Sequence, residues 1–449
     1  MSTYALVSRI LAPALVLGLA CASEPPAGTD TDTEGDGDGD PGDGDGDVEE
    51  LRSEAPHDDD PQLAQDQIDA LAAANHALTL DLYHALREGE VAGEGFAISA
   101  YSVSSAFGML YAGSVDPARA QIAESLRFPF AGEQQHVAHN WLDAQLASRN
   151  QVDPESGDAL TLTTSNGLWL LDDLASGVPQ DFLDVLAVHY DAGVHLADFT
   201  GDPEGEREQI NAWVSDRTNA LIPELFPEQS IHSLTTLVLV NALYLKGGWA
   251  APFADGLTTA EDFTRLDDQV VSVQMMHAPL VNAGYAATAD YEAVSLTLYG
   301  SQLDVVLILP TDFGAFEASL DPATLAELLG SLDAAPLDLR LPRFELDASL
   351  ELTNELEGLG MLAPFDDDSS FDGIHPDVDH IQVVVHDTVI KVDEDGIEAA
   401  AATGIGGDGD GDTEPDPPTV VTFDRPFLLA VRDYPTDTLL FFGRVLDPS

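Results

Sequence analysis

The sequence predicts an α+β fold, and three observations carry that expectation. Leu237 to Leu245 and Leu303 to Leu309 are near-continuous apolar runs, as expected of strands buried on both faces. Ile68, Leu71, Asn75, Leu78, Leu82 and Leu86 recur at helical spacing and predict an amphipathic helix ending near Arg87. Strand-like and helix-like segments are mixed without regular βαβ alternation, which argues against a doubly wound parallel sheet.

The elements follow in chain order. Ile10 to Ala20 is a short apolar run after Arg9, too short to span a membrane and typical of a signal sequence. Leu19-Ala20-Cys21 resembles a bacterial lipobox, in which Cys21 becomes the acylated N-terminus; secretion without acylation is the alternative. Residues 1–21 are therefore read as a signal peptide, and Cys21, the sole cysteine, excludes an internal disulfide. Residues 22–66 lack apolar periodicity and contain Gly35-Asp36-Gly37-Asp38-Gly39-Asp40. Such a segment buries too little surface to offset chain entropy and is expected to be a disordered acidic tether. The folded domain is expected over 67–449. Phe96 to Val103 reads as a strand running into a helix. Asp116-Pro117 and Asp321-Pro322 each read as an N-cap followed by proline at the first helical position. Thr161 to Leu171 reads as a strand.

Charge narrows the function. The formal net charge is −65, from 16 Lys plus Arg against 81 Asp plus Glu. That field excludes nucleic acid and anionic membrane surfaces as partners; a lipid anchor at Cys21 is the one expected route to a membrane. The only two lysines are Lys246 and Lys391. The Gly-Asp repeats invite a calcium reading, but an EF-hand loop needs Gly at its sixth position and Glu at its twelfth. Counting from Asp36 gives Pro41 and Asp47, and from Asp408 gives Thr413 and Thr419. A solvated spacer fits better. His136, His139 and the His375 to His380 stretch lack an H-E-x-x-H pattern and thiolate neighbours, so they are read as surface histidines. No metal and no cofactor is expected.

The stretch from His386 to Asp412 is unusual. It begins as a β-branched strand (Val389, Ile390, Val392) and ends in Gly and Asp. From Ile397, odd positions carry Ile397, Ala399, Ala401, Thr403 and Ile405, while Glu398, Asp408 and Asp410 all fall on even positions. This segregation suits a strand that must at some time enter a sheet. A flexible linker is the plainer reading.

Glu394-Asp395-Gly396 followed by Glu398-Ala399-Ala400-Ala401-Ala402-Thr403 closely resembles the reactive-centre-loop hinge of serpins, with Ile397 where threonine is common. Asn241-Ala242-Leu243-Tyr244-Leu245-Lys246-Gly247-Gly248-Trp249-Ala250-Ala251-Pro252-Phe253 resembles a serpin signature. Phe423-Asp424-Arg425-Pro426-Phe427 and Phe442-Gly443-Arg444 look like the serpin C-terminus. The resemblance covers about residues 68 to 449. It implies a serpin fold with a large central sheet, a helix carrying Ile210 to Val214 over its face, and an exposed loop over about 394–422. It implies a breach at Trp249, and a polar shutter of Ser99, Ser102, Asn241 and His386. Ser102 and His386 also raise a hydrolase reading, but there is no G-x-S-x-G elbow and no acid tied to His386. The implied function is suicide-substrate inhibition of a serine or cysteine protease through a covalent complex, by a monomer that is not itself an enzyme. The scissile bond is expected at Asp410-Gly411, about seventeen residues from Glu394, because the inserted length must span the sheet. Counted from the C-terminal motif it falls near Pro415-Asp416, so the loop is about five residues longer than usual. An acidic cleavage site points to a protease preferring Asp or Glu. A non-inhibitory binding or decoy protein is the alternative, since Gly404, Gly406, Gly407 and Gly409 weaken a strand. The location implied is secreted or cell-envelope, as an outer-membrane lipoprotein or an extracellular protein.

Overall fold

Strand β6 (Leu237–Gly248) lies at the centre of the molecule. Its even residues Val238, Val240 and Ala242 pack outward, while Leu243 and Leu245 pack inward, so the run is apolar on both faces. The computed structural model describes residues 49–89, 91–152, 159–366, 370–381, 384–397 and 417–449. All belong to one compact unit, Gly46–Ser449. Cys21 and the rest of the signal segment, the hinge residues Glu398 to Thr403 and the Asp410-Gly411 pair lie outside the described residues.

Among the described residues the central sheet has the order β1 (Glu50–Leu51), β5 (Val194–Ala197), β4 (Ala159–Leu171), β6, β14 (Gly396–Ile397), β13 (Val385–Val392), β12 (Phe344–Glu351), with β3 (Gln151–Val152) beside β4. A second sheet runs β15 (Thr419–Thr422), β11 (Asp333–Pro342), β8 (Val270–Ala287), β9 (Tyr291–Thr297), β10 (Leu303–Pro310), β16 (Phe427–Asp433), β17 (Thr438–Val445), β2 (Phe96–Ile98), with β7 (Thr259–Thr264) beside β8. Leu245, Ile390, Val392 and Ile397 of the first sheet meet Val305, Leu307 and Leu429 of the second in one core. The helices are α1 (Gln65–Glu88), α2 (Ala100–Gly113), α3 (Ala118–Ser125), α4 (Glu133–Ala147), α5 (Gln180–Tyr190), α6 (Pro203–Arg217), α7 (Phe313–Ser319), α8 (Pro322–Gly330) and α9 (Thr353–Gly358). Helix α6 buries Ile210, Trp213 and Val214 against Trp169, Val238 and Val240, so it covers the outer face of the central sheet. Beneath it the strand-to-helix run predicted from Phe96 becomes β2 and α2, with Ser99 capping α2 through Ser102 N–H at 3.1 Å.

Three sequence expectations need correction. The acidic tether does not reach residue 66. Glu50–Leu51 pairs with β5, Asp58 N–H donates to Val188 O at 3.0 Å, and α1 already begins at Gln65. Charge density hid this, because the segment is held by main-chain bonds that composition does not report. Asp116-Pro117 is not a cap: α3 starts at Ala118 with no side-chain cap bond, whereas Asp321 accepts from Thr324 N at 2.7 Å as expected. His136 and His139 are not surface residues. Both are buried between α4 and α5 around Tyr190. Gln135 donates to His139 Nε2, so His139 Nδ1–H donates to Tyr190, whose hydroxyl donates to His136 Nδ1 at 2.8 Å. Burial lowers the His139 pKa to about 4, and burial together with the neighbouring His139 and His189 lowers that of His136 to about 3, so both rings are neutral. No metal-binding cluster of His, Cys, Asp or Glu is found among the described residues.

Candidate functional site

The site is the line where β6 and β13 approach. β14 lies between them and is antiparallel to both: Gly396 pairs with Gly248, and Ile397 pairs with Gly247 on one side and Val392 on the other. It follows that β6 and β13 run parallel. Among the described residues no ladder joins them directly. Ile397 is only 3% exposed and belongs to the core between the sheets. An uncharged side chain was needed at this position, and isoleucine serves because the site is dry.

The entry to this line is stitched by main-chain bonds. Trp249 N–H donates to Asp395 O at 2.9 Å, and its indole Nε1–H donates to Asp393 O at 2.9 Å. Phe253 N–H donates to Glu394 O at 3.0 Å. Trp249 and Phe253 meet edge to face with ring centroids 6.3 Å apart. The Glu394 carboxylate accepts from Arg343 Nη2 at 2.7 Å and from the Thr258 hydroxyl. Burial alone would push this carboxyl up, but the Arg343 and Thr258 hydrogen bonds outweigh it and hold the pKa below the ordinary value. Gly396 has φ +156°, and a Cβ there would meet Gly247 O at 2.1 Å. No other residue fits so close to β6.

Below the entry, the predicted shutter residues come together beneath the sheet. His386 Nε2 accepts from Ser99 N–H at 3.0 Å, which places the ring proton on Nδ1. The Ser102 hydroxyl donates to Asn241 Oδ1. Asn241 Nδ2 donates to Asn166 Oδ1 at 2.6 Å, and Asn166 Nδ2 donates to Ser105 Oγ at 3.0 Å. Thus β13 and β6 are linked through the N-terminus of α2 rather than to each other. Full burial lowers the His386 pKa to about 4, so it is neutral here. With no carboxylate in contact and its Nε2 committed to a backbone amide, His386 is a structural acceptor and not a general base.

The family model described as "Serpin (serine protease inhibitor)" matches residues 73–448. The chain belongs to the serpin family. It is 32% identical over 392 residues to the leukocyte elastase inhibitor of Bos taurus, covering 85% of this chain and all of that one. An uncharacterized serpin-like protein of Methanosarcina mazei is 30% identical, over 84% of this chain and 88% of its own. Among solved structures, native tengpin, a thermophilic serpin, superposes with a TM-score of 0.75 at 22% identity, covering 89% of this chain and all of that one. The serpin fold expected from the hinge motif is therefore present.

Sequence reasoning brought Trp249, Glu394, Gly396 and Ile397 to the entry, and Ser99, Ser102, Asn241 and His386 to the shutter. It missed Asn166, Ser105, Arg343 and Thr258. No local signal marked Asn166: it faces Asn241 across the β4–β6 ladder, but β4 also carries Thr161, Thr163, Thr164 and Ser165. For Thr258 no periodicity could have served, because it reaches Glu394 from a loop.

Proposed function

We propose that this serpin inhibits a serine or cysteine protease by letting its loop be cleaved and then inserting the freed segment between β6 and β13. The observation that supports this reading is the seating of Gly396–Ile397 between those two strands. Each further step along the loop is one step back along both neighbours. Gly396 opposite Gly248 carries Gly407 opposite Leu237, the first residue of β6. The same register sets Thr403 opposite Asn241 and also opposite His386. A hydroxyl would thus arrive between the two shutter residues that α2 links in the uncleaved state. Ala399 and Ala401 would face inward, where their small side chains fit against the second sheet.

Energetics are adequate. About ten added residues, with ladder bonds of roughly 0.5–1.5 kcal/mol net each, contribute on the order of 10 kcal/mol. That rivals the whole stability of an ordinary domain. The acyl-enzyme formed at the cleaved carbonyl is the covalent complex, and insertion has to outrun its hydrolysis. Cleavage at Asp410-Gly411 leaves the inserted span a few residues beyond Gly407, and an acidic residue there selects a protease with a basic pocket. The acidic segment after Cys21 would tether the inhibitor at a cell-envelope surface. Mass spectrometry of the mature N-terminus tests that part: an acylated Cys21 supports it and an unmodified chain refutes it.

The central test incubates the protein with proteases that prefer Asp or Glu. A complex stable to boiling in detergent, together with a large rise in melting temperature on nicking, is the expected result. Clean cleavage with neither outcome would instead establish a non-inhibitory, decoy-like serpin.

A further inference from the structure

The acidic segment that precedes α1 walls a cavity. Main-chain atoms of Asp58 fix it in place: the N–H donates to Val188 O of α5 at 3.0 Å, and the carbonyl accepts from Asn140 Nδ2 of α4 at 2.8 Å. His57, the residue before, then closes one side of a space between α4, α5 and β4. This cavity has a volume of about 300 Å³. At roughly 30 Å³ for a water-sized atom, it admits a molecule of up to about ten heavy atoms. Leu146 and Ala147 of α4 and Leu162 of β4 give it an apolar wall. Asp143, His57 and His189 give it a polar one, and among the described residues no lysine or arginine lines it. Asn166 lines it too, and so joins it to the shutter through Asn241.

Asp143 is the unbalanced group. The Tyr101 hydroxyl donates to its Oδ1, and no arginine or lysine of the described residues pairs with it. Asp191, the other carboxylate at the cavity, is paired with Arg52. Burial raises the Asp143 pKa to about 6, against the Tyr101 hydrogen bond and the charge of His57, so the group is ionised at neutral pH. A carboxylate withdrawn from water without a cation is costly, and a cation taken up from solution offsets that cost. The neighbours offer acceptors for it. The Nδ1 atoms of His57 and His189 are buried and have no hydrogen-bond partner. Burial lowers the His189 pKa in spite of Glu133 and Asp58, so the ring is neutral and, protonated on Nε2, presents Nδ1 as an acceptor. Among the described residues these groups do not form a metal-binding cluster. They suit a larger cation that brings its own donors and an apolar part. We propose that the cavity binds a small aliphatic primary amine, with its ammonium on the Asp143 carboxylate and its alkyl chain along Leu146, Ala147 and Leu162. An ammonium has three donors to share among the carboxylate and the imidazole nitrogens. The net charge of −65 concentrates such cations around the protein, and the apolar wall distinguishes this site from the surface carboxylates.

The test titrates the full-length, uncleaved protein with n-butylamine, and with 1-butanol as its neutral counterpart, by calorimetry at physiological ionic strength. At about pH 7.5 one saturable site is expected for the amine and none for the alcohol. At about pH 5 the affinity should be about tenfold weaker, since only about one carboxyl in ten stays ionised a unit below a pKa of about 6. The groups facing Asp143 are Tyr101 from α2, His57 from the N-terminal segment, and His189, Tyr190 and Asp191 from α5. Protonation of either histidine removes an acceptor and acts in the same direction. Surface carboxylates of ordinary pKa stay largely ionised at that pH, so counterion binding to them would not weaken in this way. Asp143→Asn keeps an acceptor for Tyr101 but not the charge, and should abolish the site. Ala147→Phe, at an exposed position on the last turn of α4, should weaken binding at least about fivefold by filling the apolar wall, and carries the test if Asp143→Asn does not fold. No saturable site, equal binding of amine and alcohol, an affinity unchanged at about pH 5, or unchanged binding in a folded variant would each overturn the proposal.

Discussion

The entry and the shutter sit on the same pair of strands, yet they are held in opposite ways. At the entry, β14 is hydrogen-bonded to β6 and β13, and Trp249 and Phe253 bind the chain through its carbonyls. At the shutter, among the described residues, the hydrogen bonds linking β13 and β6 run through His386 and Asn241 to Ser99 and Ser102 of α2. Main-chain stitching is specific to one arrangement and strong in sum. Side-chain links to a helix beneath the sheet can be exchanged for links to an arriving strand, since Ser, Asn and neutral His each offer both donor and acceptor. Under the proposed insertion, the difference teaches that the upper region would set where insertion starts, while the lower region would set how easily it continues.

The largest way to break this contrast is Gly396→Val. The new side chain would run into Gly247 O, and the positive φ is unavailable to a β-branched residue. We expect loss of protease trapping and roughly 3 kcal/mol of native stability, read from denaturant midpoints. Glu394→Ala comes next. It leaves Arg343 and Thr258 without their shared acceptor at a site only 3% exposed. Because Arg343 is itself half-exposed, the expected cost is about 2 kcal/mol rather than that of a fully buried pair. The carboxyl is held below its ordinary pKa, so its stabilisation is complete above the unfolded value and is lost as pH falls through the folded one. The variant should therefore show a shallower loss of stability in strong acid than the wild type.

Much of this contrast was legible in the sequence, and unequally. The hinge and the entry were readable because they depend on local features: a glycine, an uncharged residue after it, a run of alanines, a tryptophan after two glycines. The central strands were readable because burial on both faces leaves an apolar run. The shutter was only half readable. Ser102 and Asn241 came from the family resemblance, but their extension through Asn166 and Ser105 depends on a register between β4 and β6 that no local pattern encodes. The histidines His136 and His139 misled for a related reason. Polar residues at i and i+3 look like a solvated helix face, and only the packing of α5 supplies the Tyr190 hydroxyl that lets them be buried. The strand at Glu50–Leu51 was hidden by its acidic surroundings, since edge pairing uses backbone groups that every residue carries.

Acid sharpens the comparison from the shutter side. The His386 pKa falls from its ordinary value to about 4 on folding. Between those values the unfolded chain binds the extra proton, so stability rises with pH across that window and is lost as pH falls from about 6.5 toward 4. The contribution is on the order of 3 kcal/mol. His136 and His139 act with the same sign. Asp143 and Asp387 oppose them, because burial raises both to about 6 and stability falls as they ionise. His386→Gln keeps an acceptor for Ser99 N–H but cannot titrate. Its melting temperature should depend less on pH between 6.5 and 4 than that of the wild type, and an unchanged slope would show that the slope arises around Tyr190 instead.

The smallest effect separates the two regions most cleanly. Ser102→Ala removes the hydroxyl that ties α2 to Asn241 but leaves Asn241 bonded to Asn166. The expected cost is about 1 kcal/mol, one hydrogen bond lost at Asn241 Oδ1 while its Nδ2 keeps Asn166. If the shutter governs how easily insertion continues, this variant should convert more readily to the inserted form on warming, while an entry variant such as Glu394→Ala loses stability of the uncleaved form without that gain in conversion. Conversion followed by the appearance of a heat-resistant species distinguishes them. Equal conversion rates for Ser102→Ala and the wild type would assign control of both steps to the entry.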